Sequence, residues 1–358
     1  MADLHLSRTN DKIKKVFIWG GGMAMENITI IEIAKMCGVS VSTVSRAMNN
    51  HPDINQETKD RVMQIIKEYH YVPNNSARNL KRSDARSIAV LIKGISNPFF
   101  SKMIKVFEQE IQKHKYSMVL QHIEENQDEV EVAVQLQKEK RLNGIVFLGG
   151  SFEHTRKKLK QITVPFVLST TGMMKGVGFG DCSLVSVDDF KESYRMTEYL
   201  IEQGHKRIAI ICADEKDRSI GKLRLSGYCA ALEAHGIAVD ESLFCRMKKD
   251  LNYYSMENGY AVTKELLDSG KEFTALYAIS DSVAIGACRA LWDGKKRIPE
   301  DYSVAGFDGL DIASYYQPSI TTIRQPVEEM AEATIRILFQ MIEKEIPYEK
   351  QVFKGELV

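Results

Sequence analysis

"CGVSVSTVSRAMNNH", Cys37 to His51, is the stretch on which the reading of the amino-terminal part of this chain turns. Valine alternates with serine and threonine through Val39-Ser40-Val41-Ser42-Thr43, which is the period of a half-buried strand and uses residues a strand prefers. The flanks argue for a helix instead. Ser40 stands where an N-cap would, and Val44, Ala47 and Met48 fall three and four apart, as one buried helical face requires. On such a helix Val41, Ser42, Ser45 and Arg46 share the face that is not buried, and that face is small and polar with one arginine.

Working outward, "TIIEIAKMCGVS" precedes it. Thr29 and Glu32 have the spacing of a capping box, and Ile30, Ile33, Ala34 and Cys37 form one apolar stripe ended by Gly38. The three-residue turn 38–40 leads into the second helix, expected to run about 10 residues or ~15 Å. A third helix is expected after "NNHPDIN", capped by Asn55, with Val62, Ile65, Ile66 and Tyr69 on one face and Pro73 beyond its end. Two helices joined by a short turn containing glycine, with a third across them, is the helix-turn-helix pattern. Small residues let a helix approach base edges in a groove about 12 Å wide, and an arginine fork bonds guanine or phosphate. Periodicity alone also fits a three-helix lid with a solvated polar face.

Charge discriminates only locally. The 358 residues carry 48 basic and 48 acidic side chains, a formal net charge of zero, so bulk charge points to neither nucleic acid nor membrane. Residues 26–86 carry nine Lys/Arg and seven Asp/Glu, and Arg78, Lys81, Arg82 and Arg86 crowd together after Pro73. The segment "NNSARNLKRSDARS", 74–87, is too polar for a core and too short for a stable isolated helix. No run of about 18 apolar residues exists, and the start of the chain is a poor secretory signal. "KVFIWGGGM" near that start has neither the spacing nor the βαβ setting of a nucleotide-binding loop, so residues 1–24 are expected to be a disordered extension. The six cysteines, at 37, 182, 212, 229, 245 and 288, have no paired CxxC and are expected to be reduced thiols of a cytoplasmic protein, with no metal site.

After Ser87 buried-strand runs alternate with helical stretches: "SIAVLIKG", "YSMVLQHI", "NGIVFLGG" and "VPFVLST", then "LVSVDD", "RIAIICA", "FTALYAIS" and "DYSVAGFDG". Two such series imply an α/β body of two doubly wound parallel-sheet lobes. Ligands in such sheets sit beyond the carboxyl ends of strands, which makes Lys93, Asp281 and Asp308 candidates. There is no HExxH, GxSxG or GxxxxGK[ST], and no histidine pairs with an obvious nucleophile, so a binding body is expected rather than an enzyme.

The stretch from Thr29 to Lys81, with "SNPFF", "GHKRIAII", "GKLRLSGY", "ISDSVAIGA", "RIPEDYSVAGFDG" and "YYQPSITTIRQP" following in order, resembles the lactose and purine repressor (LacI/GalR) family from Ile28 to the end of the chain. The resemblance implies a cytoplasmic, nucleoid-associated homodimer that binds a pseudo-palindromic operator on double-stranded DNA and answers to a small molecule, most simply as a repressor without a cofactor. It implies a head at 25–73, a hinge helix and linker at 74–86, one periplasmic-binding-protein-like lobe at 87–188 plus 326–345, and a second at 189–325 plus 346–358. Base-reading positions fall on Val41 and Ser42 with Ser45 and Arg46 beside them, and phosphate-touching positions on Thr43 and Asn49. Asn74, Ala77 and Leu80 match positions that enter the minor groove, Leu80 as an apolar wedge. For the effector the resemblance assigns Arg224 as the gripping arginine, Arg218 as a secondary contact, Tyr254 as a stacking ring and Asp308 as an acceptor. Phe99 and Phe100 match the pocket floor, with core packing as their alternative, and Ser280 and Asp281 stand where many members have Asn-Asp. Lys93-Gly94 and Gly309 also depart from commoner residues. The expected effector is a saccharide or saccharide phosphate. A solute-binding transport protein and a regulator docked by another protein are the competing functions.

Overall fold

Helix α1 (Ile30–Cys37) is fixed at both ends by its own sequence. The Thr29 hydroxyl accepts the Glu32 N–H while the Glu32 carboxylate accepts the Thr29 N–H at 2.7 Å, and Gly38 closes the helix at φ 64°. Helix α2 (Val41–Met48) starts at Ser40, whose hydroxyl accepts the Thr43 N–H at 3.2 Å. The quoted stretch is therefore helical, its caps overriding its strand-like alternation. It is shorter than expected because the Asn49 side chain donates to the Ser45 carbonyl at 2.6 Å and ends the helix there. Asn55 caps α3 (Gln56–Glu68) by accepting the Glu57 N–H at 2.9 Å. Ile33, Ala34, Cys37, Val44, Ala47 and Val62 form the shared core.

The computed structural model describes residues 28–49, 51–69, 71, 86–124, 127–151, 154–171, 182–213, 219–344 and 346–358, in two units, Met1–Ser83 and Asp84–Val358. The extension 1–24, the hinge positions Asn74, Ala77 and Leu80, and Arg218 lie outside the described residues.

In the second unit, β1 (Ser87–Ile92), β2 (Ser117–His122), β3 (Gly144–Leu148), β4 (Phe166–Ser169), β5 (Ser183–Val187) and β11 (Lys350–Phe353) build one sheet in the order β11-β5-β4-β3-β1-β2, all parallel. Its inner strands β1, β3, β4 and β5 are buried on both faces, which is why they read as unbroken apolar runs, while the edge strands β2 and β11 are partly exposed. Ile88, Val90 and Ile92 pack with α4 (Phe99–Lys113) and α12 (Val327–Lys344), while Ala89 and Leu91 pack with α5 (Glu129–Lys140) and α6 (Arg156–Leu159). The other sheet runs β12-β10-β9-β8-β6-β7, from β6 (Ile208–Cys212), β7 (Phe244–Arg246), β8 (Ala275–Ala278), β9 (Ser303–Asp308), β10 (Thr321–Arg324) and β12 (Glu356–Leu357). Only β12 is antiparallel. Its covering helices pair as α7 (Asp189–Glu202) with α8 (Ile220–Ala234) and α9 (Met256–Asp268) with α10 (Asp281–Asp293). Gly286 of α10 lies so close to the Met256 carbonyl that a Cβ there would collide with backbone.

The chain passes between the lobes three times: between β5 and α7, between β10 and α12, and between β11 and β12. Residues 346–358, expected to belong wholly to the second lobe, are instead divided between the two. β11 joins the first sheet alongside β5, and only β12 pairs in the second. No helix among the described residues is long and apolar enough to cross a membrane.

The fully buried Ile33 gives the first prediction. Ile33→Ala should cost about 2–5 kcal/mol, comparable with the whole stability of so small a core. Calorimetry should show the head transition lost and the body transition unchanged.

Candidate functional site

The exposed face of α2 carries the residues expected to meet DNA. Val41, Ser42, Arg46 and Asn49 are exposed and Thr43 and Ser45 half-buried, while Val44 and Ala47 face the core. The Ser40 hydroxyl lies 2.7 Å from that of Ser42 and 2.9 Å from that of Thr43, so the first turn presents a row of hydroxyls at the helix N-terminus, where backbone N–H groups also favour phosphate. Arg46 projects from the last turn with no polar partner among the described residues.

In the body, Arg224 lies fully inside the second lobe on α8. Its Nε donates to Asp189 Oδ1 at 2.9 Å, and its Nη1 donates to the Ile279 carbonyl at 2.5 Å and to Asp308 Oδ1 at 3.4 Å. Nη2 is 2.9 Å from the same Asp189 oxygen, and the guanidinium rests on the Phe307 ring, 3.6 Å from its centroid. Asp308 ends β9 at φ 115° and is followed by Gly309 at φ 73°. Such a backbone costs about 1–3 kcal/mol for a non-glycine residue and persists only where its surroundings fix it. Asp281 supplies that bracing. It accepts the Leu310 N–H and the Thr322 hydroxyl, each at 2.6 Å, and Gly306 leaves room for its carboxylate.

Asp308 also reaches beyond its own lobe. Oδ2 accepts from the Asn97 side chain at 3.2 Å, and Oδ1 from the Gln325 side chain at 2.9 Å. Asn97 belongs to the loop after β1 in the first lobe, and Gln325 to the second crossing between lobes. Tyr254, at φ 58°, places its hydroxyl 3.3 Å from the Ser219 hydroxyl that caps α8, and it lies near Arg224.

The structure therefore brings together Arg224, Tyr254 and Asp308, and adds Asp189, Asn97 and Gln325. The other expected effector residues among the described ones make contacts within the protein itself. Ser280 caps α10 by accepting the Val283 N–H at 3.4 Å, and the two oxygens of Asp281 accept the Leu310 N–H and the hydroxyl of Thr322 on β10. Phe99 and Phe100 are buried in the first lobe, their rings edge to face at 5.5 Å, beneath the loop that carries Asn97. Lys93 turns to the start of α5, donating to the Gln127 carbonyl at 3.3 Å, with Glu129 3.6 Å away.

Burial raises the Asp308 carboxyl to about 6, against the pull of Arg224, Asn97 and Gln325. Burial, followed by repulsion from Asp308, raises Asp281 to about 7. Asp189 is raised as well, by burial. Burial alone would lower Arg224, but Asp189 and Asp308 hold it above its ordinary value.

Residues 29–74 match the bacterial regulatory proteins, lacI family, and residues 197–358 match the periplasmic binding protein-like domain. The transcriptional regulator MalR of Clostridium butyricum is 38% identical over 333 residues, covering 92% of this chain and 98% of its own. The chain belongs to the LacI family of bacterial transcriptional regulators. Its members are regulators and not enzymes. Among solved structures, a complex of the transcriptional regulator CelR with cellobiose superposes at TM-score 0.67 with 28% identity, covering 92% of this chain and 98% of that one. A LacI family regulator from Enterococcus faecium with bound ribose superposes at 0.65 with 29% identity, covering 76% of this chain and 96% of that one.

The raised carboxyls fix the sign of a pH dependence. Between about pH 4 and 7 the folded body holds protons on Asp308 and Asp281 that the unfolded chain, with carboxyls near 3.8, has released. Their contribution to stability therefore falls as pH rises through that window and is level above it. Asp308→Asn should flatten part of this slope in urea unfolding at pH 5, 6 and 7. An unchanged slope would remove Asp308 from the account.

Proposed function

We propose that this LacI-family regulator is a homodimeric repressor, cytoplasmic and acting on the nucleoid, that reads a pseudo-palindromic operator with the exposed face of α2 and takes a saccharide or saccharide phosphate between its lobes. The observation that carries the reading is the joint presence of that polar helical face and the buried Arg224–Asp308 pair with Asn97 opposite it. Val41, Ser42, Ser45 and Arg46 read bases, and Thr43 and Asn49 contact phosphate. Asn74, Ala77 and Leu80 enter the minor groove. Arg224, Tyr254 and Asp308 hold the effector with Arg218, and Asn97 and Gln325 share their acceptor. A saccharide suits a site of hydroxyls, amides and one arginine fork, and cellobiose and ribose are the molecules named in the two solved neighbours.

Dimerisation is in keeping with two large, strongly exposed side chains on the second lobe. Trp292 is 73% exposed on α10 and Tyr315 88% exposed on α11 (Asp311–Tyr315), and Arg289 lies beside both Tyr260 and Tyr316. Two recognition helices related by a twofold axis read inverted half-sites.

Two expected outcomes test this function. Arg46→Ala should weaken binding to an operator selected from random duplexes by about 1–3 kcal/mol while leaving non-specific binding nearly unchanged. Arg224→Ala should spare operator binding and abolish its response to whichever member of a panel of neutral saccharides and saccharide phosphates acts on the parent. Parent-like affinity in the first titration, or a parent-like response in the second, would contradict the assignment.

A further inference from the structure

A second side-chain contact spans the lobes beside Asn97 and Asp308. Lys102, in the first turn of α4, donates from Nζ to Asp311 Oδ1 at 2.7 Å, and Asp311 opens α11. Both side chains are exposed, at 38% and 73%. The start of α4 and the β9–α11 connection are thereby fastened to each other twice, once inside the body and once at its surface. The inner fastening is held in place on the first-lobe side, because Asn97 Oδ1 accepts the Phe99 N–H at 3.1 Å and so aims the amide Nδ2 at Asp308.

We propose that Asn97 and Lys102 form a latch that holds the cleft closed without effector, with Lys102 a positioning residue that sets how often the cleft opens. The Asn97 amide donates to Asp308 as an effector hydroxyl would, so effector and Asn97 compete for one carboxylate oxygen. Lys102 touches neither the effector nor the buried cluster. It acts through the position of the 308–311 segment, and apparent effector affinity scales with the fraction of body that its ion pair leaves open. An exposed pair is worth little on its own, so the latch is weak enough for an effector to release.

The inference rests on reading the cleft as the effector site, but its test contains no effector, so the two fail separately. Hydrogen exchange is followed by mass spectrometry on the full chain, in peptides covering 94–98 and 308–313. In the parent both segments should exchange slowly. Lys102→Ala should speed both by roughly 1.5–5-fold, and Lys102→Glu by more, because it sets a like charge against Asp311. Combining Lys102→Glu with Asp311→Lys should return both to parent rates, which a purely local role for Lys102 would not produce. Raising salt on the parent should also speed both segments, since an exposed pair is screened. Rates at 308–313 unmoved by Lys102→Glu, or not restored by the exchanged charges, would overturn the latch.

Discussion

One guanidinium serves a crowd of buried carboxyl groups, and the body is arranged around that shortage of positive charge. Arg224 lies between Asp189 and Asp308, with Asp281 behind the same turn, and all four are out of contact with water. A buried charge without a partner costs several kcal/mol, about 3–5 when one member of an established pair is removed. The elements that supply these groups are therefore not free to drift. Asp189 fixes the start of α7, Asp308 the end of β9, and the Ile279 carbonyl the end of β8, all against a single side chain of α8. The strained backbone at 308–309 persists because Arg224, Gln325 and Asp281 determine it from three sides.

The same cluster touches the places where the chain changes lobes. Asp189 lies just past the first crossing, and Gln325 lies in the second. At the third, Glu192 accepts the Gly355 N–H at 3.0 Å, and Arg195 pairs with Glu192 while donating to the Gly355 carbonyl at 3.1 Å. Two of the three crossings thus adjoin the Asp308 cluster by short steps through hydrogen bonds, and under the proposed function a ligand that alters the partners of Asp308 would act on them. It can bias the body only by the difference in its affinity for the open and closed states. The head has a core separate from this cluster.

How much of this was legible in the sequence depends on the range over which each feature is encoded. The head was legible because caps and stripes are local: Thr29 with Glu32, Ser40, and Asn55 each announce a helix start within four residues. The inner strands β1, β3, β4 and β5 were legible because burial on both faces leaves an unbroken apolar run. The short strands β7, β10, β11 and β12 were not, and the tail was consequently assigned whole to one lobe. In the cleft, Arg224, Tyr254 and Asp308 came from motif resemblance. Asn97, Asp189 and Gln325 escaped because each reads locally as a turn, cap or linker residue, and only folding brings positions 97, 189, 224, 308 and 325 into one cluster. Ser280 is ambiguous for a related reason. A polar residue after a strand signals equally a ligand contact and the cap of the next helix, and Ser280 does cap α10.

The most direct test of the shared guanidinium is a double-mutant cycle on the body's urea transition at pH 7.5, using Arg224→Met, Asp308→Asn and the pair. Arg224→Met keeps volume and leaves the carboxylates uncompensated, so the account predicts that adding Asp308→Asn returns part of the lost stability, a coupling of about 1–3 kcal/mol. Losses that simply add, to within about 0.5 kcal/mol, would contradict it.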